Sequence, residues 1–172
     1  GYDGPISQEI YGHHWRVVNN DLSASTAPRT GPSIPRMAGI VANGNATFLY
    51  GNHIHDIQGS AQECHGIYID GDGNYDIGFN HIHDIRDGNG LQIYVNGSNG
   101  SVVADDVSFH NNLVHDVSKH GINIADNARR QIAIWNNIIY NAQFAGVRIN
   151  SNILTGARIH HNTFYNVNTA LH

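Results

Sequence analysis

Histidine and aspartate recur in one short frame of this sequence, and both residue types can take part in metal binding. The segment NHIHDI occurs at residues 52–57 and again at 80–85, and a variant, NLVHDV, occupies 112–117. Imidazole nitrogens are common ligands of zinc. If the frames lie side by side, four imidazoles form a candidate zinc site with Asp56 and Asp84 beside them. These imidazoles belong to His53, His55, His81 and His83.

A packing role is the alternative for these rings. Later frames, NIIYNA and NTFYNV, carry a tyrosine where the first frames carry their second histidine. A position that accepts either ring is typical of a stacking ladder. We expect three such ladders. The first contains Asn52, Asn80, Asn112, Asn137 and Asn162; the second His55, His83, His115, Tyr140 and Tyr165; the third Asp56, Asp84, Asp116, Asn141 and Asn166.

The segment DGDGNYD at 70–76 spaces oxygen ligands as calcium-binding loops do. The candidate calcium ligands are Asp70, Asp72, Asn74 and Asp76. A tight turn between strands explains the same letters, because Gly and Asn tolerate positive φ. No Glu stands at the twelfth position of the loop, where His81 is found.

The elements that position these residues repeat along the chain. The asparagine that opens each frame recurs as Asn20, Asn52, Asn80, Asn112, Asn137 and Asn162. A second frame begins with Gly and alternates, as in GIYID and GINIAD, and a third precedes each asparagine, as in VSFHNN and IAIWNN. Periods of 20–50 residues are typical of stacked repeat architectures.

Each repeat predicts three short strands, because apolar residues alternate with period two between Gly, Asn and Asp. The sequence therefore predicts an all-β protein, a single domain over 1–172 that forms a right-handed parallel β-helix of about six coils. Alternation places one set of side chains in the core. The set is Ile67, Ile69, Leu91, Ile93, Val95, Ile122, Ile124, Val147 and Ile149.

The GIxI … IxxNxI frame resembles the repeat of the pectate-lyase-like superfamily of parallel β-helix proteins, over about residues 12–172. That superfamily contains polysaccharide lyases, polygalacturonase-type hydrolases, alginate epimerases, phage tailspikes and non-catalytic surface proteins. The resemblance implies that a saccharide lies along the outer face of one sheet, and that calcium assists where a lyase acts on uronates.

The strands that open with Gly carry the richest set of outward polar residues. An imidazole, an ammonium and a guanidinium beside amides and tyrosines suit an acidic sugar chain. The candidate catalytic residues are His120, His65, Arg148, Lys119 and Tyr68, and the candidate substrate-binding residues are Gln92, Tyr94, Asn123, Asn150 and Asn89.

The favoured hypothesis is β-elimination on an acidic polysaccharide, in which Arg148 pairs with a uronate carboxylate and His120 or His65 takes the proton. The segments KHGINI and GVRINS resemble those of polygalacturonase-type hydrolases, but the aspartate trio of those enzymes is absent. A non-catalytic carbohydrate-binding or adhesive β-helix is the alternative, and a trimeric spike-like module is a third possibility.

Composition restricts the partners. The formal net charge is −5, and charged residues make up 13% of the chain, so that no basic stripe for nucleic acid arises. No apolar run is long enough for a membrane span. We expect a secreted or extracellular location and a neighbouring domain or further copies over the helix ends. Residues 21–36 and 96–106 are expected to form excursions that wall a cleft.

Overall fold

A computed structural model describes residues 8–10, 12–25, 37–58, 64–71, 73–95, 105–126, 130–151 and 154–172. In chain order the strands are β1 (Gln8–Ile10), β2 (Arg16–Val18), β3 (Asp21–Ser25), β4 (Met37–Ala42), β5 (Thr47–Tyr50), β6 (His53–Gln58), β7 (Cys64–Ile69), β8 (Tyr75–Gly78), β9 (His81–Ile85), β10 (Leu91–Val95), β11 (Val107–His110), β12 (Leu113–Val117), β13 (Ile122–Asp126), β14 (Ala133–Trp135), β15 (Ile138–Ala142), β16 (Ala145–Asn150), β17 (Arg158–His160), β18 (Thr163–Tyr165) and β19 (Thr169–Leu171). The described part of the chain contains no helix that could cross a membrane.

The strands form three sheets, and every pairing within them is parallel. The glycine sheet has the order β1-β4-β7-β10-β13-β16-β19, the aromatic sheet β17-β14-β11-β8-β5-β2, and the histidine sheet β18-β15-β12-β9-β6-β3. Consecutive strands of the chain therefore visit the three sheets in turn, and each strand pairs with its equivalents one coil before and after. This arrangement confirms the predicted all-β parallel β-helix.

Equivalent letters of the repeat stack on one another. In the histidine sheet, Val114 pairs with Ile82 on one side and with Ile139 on the other. In the glycine sheet, Leu91 lies between Ile67 and Ile122. Because the register is kept from coil to coil, apolar positions form continuous columns inside the solenoid.

Eight of the nine predicted core side chains lie within the described residues, and seven of these are buried. Ile67, Ile69, Leu91, Ile93, Ile122, Ile124 and Val147 are fully buried. Ile149, expected in the core, is 36% exposed. Leu171 of β19 pairs with Val147, and no described strand residue pairs with Ile149 on that side. The side chain of Val95 lies outside the described residues.

The asparagine ladder is present and begins at Asn20. The Asn80 side chain accepts hydrogen bonds from the backbone N–H and the side-chain Nδ2 of Asn52, at 2.9 and 3.0 Å. Its own Nδ2 donates to the Leu49 carbonyl at 2.8 Å and to Asn112 Oδ1 at 3.0 Å. The amides thus satisfy backbone groups at the bend between the aromatic and histidine sheets, where no sheet ladder can do so.

The third ladder marks a left-handed bend inside the histidine sheet. Its members have φ between 48° and 53°. Asp and Asn adopt this conformation more readily than other non-glycine residues. The residues are Asp56, Asp84, Asp116, Asn141 and Asn166.

Five strands of the glycine sheet, β4, β7, β10, β13 and β16, contain or directly follow a glycine that close packing requires. A Cβ on Gly90 would lie 2.5 Å from Val114 Cγ1 and 2.6 Å from the carbonyl oxygen of Gly121. Both distances are far below van der Waals contact. The corner where the chain enters the glycine sheet therefore leaves no room for a side chain.

The prediction that residues 21–36 form an excursion is wrong for residues 21–25. Asp21–Ser25 forms strand β3, which pairs in parallel with β6 and opens the histidine sheet. The pairing depends on backbone hydrogen bonds and on buried Ala24, so that it does not need the ring pattern of the later coils. The rest of that segment, and residues 96–104, lie outside the described residues.

Candidate functional site

The candidate residues on the glycine sheet occupy matching positions of neighbouring strands. Tyr68, Gln92, Asn123 and Arg148 occupy paired positions on four successive strands. Three residues earlier in each coil, a hydrogen bond joins His65 to Asn89, and another joins Asn89 to His120. Tyr94 pairs with Ala125, which pairs with Asn150. The structure therefore brings the predicted saccharide-contacting residues onto one face.

The face is more buried than alternation predicts. His65, Tyr68, Asn89, Gln92 and Asn123 were expected to be solvent-facing, and each is at most 8% exposed. A second apolar cluster lies on this face, formed by Ala38, Val41 and Tyr68 with Tyr94 packed against it. Open surface begins farther along the sheet. Lys119, His120 and Arg148 are half-buried, and Asn150 is exposed.

Side-chain amides connect two neighbouring coils of this face, those of β10 and β13. Gln92 Oε1 accepts hydrogen bonds from Asn89 Nδ2 at 2.7 Å and from Asn123 Nδ2 at 2.8 Å. Asn89 Oδ1 accepts from the backbone N–H of His120 at 3.0 Å. The remaining oxygen, Asn123 Oδ1, is buried and has no hydrogen-bond partner. An unpaired buried carbonyl costs about 1–3 kcal/mol, and a donor from a ligand would remove that cost.

The two imidazoles of this face share one tautomer. The backbone N–H of Asn89 donates to Nδ1 of His65 at 3.2 Å, and that of Ala145 donates to Nδ1 of His120 at 3.3 Å. Because a backbone N–H can only donate, Nδ1 is the acceptor in both rings and the proton of the neutral ring lies on Nε2. The arrangement suits His120 to donating a hydrogen bond to a ligand rather than to taking a proton.

His120 is neutral near pH 7. Burial, together with the positive charges of Arg148, His172 and Lys119, lowers the pKa of His120 to about 4. The region around it therefore combines a neutral N–H donor with the fixed cations of Arg148 and Lys119. That combination attracts an anion without the self-repulsion that a third cation would add.

The candidate calcium ligands are divided between the end of β7 in the glycine sheet and β8 in the aromatic sheet. Asn74 has φ of 66° and donates through Nδ2 to Asn45 Oδ1 at 3.1 Å. Asp76 lies on β8 in the aromatic sheet, and its Oδ1 is 2.9 Å from Nε2 of His110. Asp70 follows β7, and Asp72 lies outside the described residues. The described side chains of Asn74 and Asp76 take part in hydrogen bonds between coils, and calcium binding by this loop stays a prediction.

The four predicted histidines form one patch on the outer face of the histidine sheet. The rings of His53 and His81 stack at 5.1 Å between centroids, and those of His55 and His83 at 5.6 Å. The ladder continues through His115, which is 4.9 Å from His83 and 4.6 Å from Tyr140. The ring ladder is therefore present, and Tyr165 pairs with Tyr140 in register beyond it.

Sequence reasoning missed the contribution of Asp21 to this patch. Its Oδ1 lies 2.7 Å from Nε2 of His55 and 3.3 Å from Nδ1 of His53. The first frame, NDLSAS, has no ring at the ladder position, so nothing in its letters linked Asp21 to the histidines of the next coil. The parallel pairing of Asp21 with His53 brings them together.

A row of rings on the aromatic sheet was also missed. Tyr50 lies 5.9 Å from Phe79 and 5.8 Å from His110, and His110 stacks on Trp135 at 4.5 Å. Phe79 is 60% exposed. Burial and the neighbouring Asp76 carboxylate raise the pKa of Tyr50 to about 12. The signal was the third repeat frame, which places Tyr50, His110, Trp135 and His160 two residues before the ladder asparagines of their coils; the coil of Asn80 has Gly78 at that position and Phe79 beside it.

Comparison of the chain with models of protein families, with curated proteins and with solved structures gives no match.

Proposed function

We propose that this protein binds an acidic polysaccharide along the outer face of the glycine sheet, at the coils that carry His120, Asn123 and Arg148. The observation that carries the proposal is the unpaired, buried Oδ1 of Asn123, whose position on β13 pairs with that of the half-buried Arg148 on β16. A sugar hydroxyl would donate to the first group, and a uronate carboxylate would accept from the second.

The neighbouring groups extend the same recognition. His120 contributes an Nε2–H donor, and Lys119 adds a second cation beside it. Gln92 and Asn89 hold Asn123 in place through the amide network. Tyr94 and Asn150, one step along the strands, lie where the next sugar ring of the chain would be.

The resemblance of the repeat to the pectate-lyase-like superfamily supports the proposal, because saccharides lie along this sheet in enzymes of that superfamily. It also supports a location outside the cytoplasm, where acidic polysaccharides occur. Binding is favoured over β-elimination on geometric grounds. A general base needs a free lone pair, and in both His65 and His120 the acceptor nitrogen is engaged by a backbone N–H.

Isothermal titration calorimetry with polygalacturonate, alginate and a glycosaminoglycan tests the proposal, with a neutral glucan as the control ligand. At least one acidic polymer should bind, and binding should weaken with salt. Arg148→Gln should lower affinity about tenfold or more, as expected for loss of a charge-assisted pair worth about 1.5–3 kcal/mol. Asn123→Leu should also weaken binding.

Arg158→Gln is the matched control, because Arg158 is an exposed arginine on the aromatic sheet. Equal losses in Arg148→Gln and Arg158→Gln, or no binding of any acidic polymer, would overturn the proposal. Absorbance of unsaturated uronate in the same mixtures separates a lyase from a binding protein. Repeating the titration with calcium and with a chelator tests whether the ion takes part.

A further inference from the structure

The histidine patch contains two close imidazole pairs that ring stacking alone does not require. Nε2 of His53 lies 2.8 Å from Nε2 of His83, and Nε2 of His81 lies 2.8 Å from Nε2 of His115. Each pair joins one coil to the next along a diagonal. Two ring nitrogens at this distance share one proton, and a metal ion can take the place of that proton.

Three of these rings converge. One ligand nitrogen each from His53, His81 and His83 lies within 4.8 Å of the other two. Tetrahedral zinc, with Zn–N bonds of about 2.0–2.1 Å, holds its ligand nitrogens about 3.3–3.4 Å apart. Zinc binding would therefore open the contact between His53 and His83 by about half an ångström, and would close any nitrogen separation at the 4.8 Å limit by about 1.4 Å. The three rings are half-buried and reachable from solvent.

Carboxylates hold the opposite nitrogens of the rings. Nδ1 of His83 lies 2.7 Å from Asp84 Oδ2, and Nδ1 of His53 lies 3.3 Å from Asp21 Oδ1. This is the carboxylate–histidine arrangement that fixes the tautomer and orientation of a metal-bound imidazole. It leaves Nε2 of both rings directed at the shared space between them.

The stacking role does not explain the first histidine of each frame. Stacking continues through the second position, where His115 is followed by Tyr140. The first position changes to Leu113, Ile138 and Thr163 on later coils, so a ring is not required there for packing. Histidine occupies both positions only on the two adjacent coils that form the cluster.

We propose that the outer face of the histidine sheet binds a divalent transition metal ion through His53, His81 and His83, with Asp21 and Asp84 orienting His53 and His83. Imidazole nitrogens favour zinc and its neighbours over calcium and magnesium, which prefer oxygen ligands. The site is on a different sheet from the saccharide face, so zinc binding and polysaccharide binding are tested by separate variants. Asp21, His53 and His55 form a second three-ligand group beside it.

Titration of metal-free protein with zinc chloride, followed by calorimetry, tests the proposal. The expected result is saturable binding that His53→Gln/His83→Gln weakens at least a hundredfold. Asp21→Asn should weaken it about tenfold, in the range found for partners that orient a ligand. Cobalt(II) should give the visible absorption of a tetrahedral site in the original chain and lose it in the double variant.

His160→Gln/His161→Gln is the matched control, since it likewise removes two imidazoles in contact with each other, here on an exposed part of the surface. Circular dichroism and the thermal midpoint without metal show whether each variant folds, and His53→Gln alone is a milder second variant. The proposal is wrong if zinc does not bind, if cobalt gives no tetrahedral spectrum, or if the control pair loses as much affinity as the test pair.

Discussion

At the residue scale, the asparagine ladder shows why one residue type recurs at one bend. Each amide accepts from the coil before it and donates to the coil after it and to a buried carbonyl. Aspartate has no donor for the carbonyl, and glutamine places its amide one carbon farther away. The bend therefore selects asparagine both by hydrogen-bonding capacity and by length.

Replacing Asn80 with alanine should destabilise the protein by about 2–4 kcal/mol. The change leaves the backbone N–H of Asn52 and the Leu49 carbonyl without their side-chain partner, and each unpaired buried group costs about 1–3 kcal/mol. Equilibrium urea unfolding measures the effect. Asn168→Ala, at an exposed position, should change the free energy of unfolding by less than about 0.5 kcal/mol. Similar losses in the two variants would contradict the ladder's role.

The pH dependence of stability should carry a contribution from His120. Its pKa in the folded state, about 4, is below the ordinary value of 6.5, so the unfolded chain takes up the proton first as pH falls. The stabilisation is complete above pH 6.5 and is lost as pH falls from 6.5 towards 4.

The variant His120→Asn isolates this contribution. Asparagine oxygen can accept the Ala145 N–H in place of Nδ1, as Asn89 Oδ1 accepts the His120 N–H one coil earlier. Urea midpoints measured between pH 7.5 and pH 4.5 should fall less for the variant than for the original chain. Parallel curves for the two proteins would show that His120 does not titrate in this way.

At the element scale, the strands of the glycine sheet enter at a corner that excludes a side chain. Gly90→Ala should destabilise the protein by about 1–3 kcal/mol or more, since the new methyl group meets both Val114 and the backbone carbonyl of Gly121. Thermal unfolding followed by circular dichroism measures the shift. Gln143→Ala, a surface change, serves as the comparison. An unchanged midpoint for Gly90→Ala would show that the corner can open.

The repeated residues predicted these strands and bends because each frame meets one local structural requirement. Asparagine marks the bend that needs an amide, glycine marks the crowded corner, and alternating isoleucine marks the core, as in Ile67 and Ile69. Requirements of this kind act within one coil and its neighbours. The residues that meet them therefore recur once in every coil.

The solvent exposure of the outward-pointing side chains could not be predicted from the repeat pattern. Alternation shows that Gln92 and Asn123 point away from the core, but not that they are buried. Their burial depends on packing among coils, including the apolar contact of Tyr68 with Val41. Likewise, Asp21 belongs to the histidine patch because it pairs with His53, and the letters of its own frame did not indicate this contact. The glycine-sheet rows were predictable, whereas their accessibility was not.

At the scale of the whole molecule, the solenoid gives three outer faces with different chemistry. The glycine sheet presents amides and cations, the histidine sheet presents imidazoles with carboxylates, and the aromatic sheet presents stacked rings. Each face consists of several columns of side chains, and each column is built from one position of the repeat. Both proposed binding sites therefore depend on the same vertical stacking of coils, and an error in register would move each of them.

Disulfide trapping between engineered cysteines tests that stacking most directly. Ala133 pairs with Ser108 on one side and with Arg158 on the other. Cα atoms of paired residues on neighbouring strands, about 4.8 Å apart, are within the range of a disulfide, whereas residues two strands apart, at about 9.6 Å, are not. On mild oxidation, Ser108→Cys/Ala133→Cys and Ala133→Cys/Arg158→Cys should each form an intramolecular disulfide, and Ser108→Cys/Arg158→Cys should remain reduced. Failure of both neighbouring pairs, or efficient bridging of the distant pair, would contradict the coil register on which the account depends.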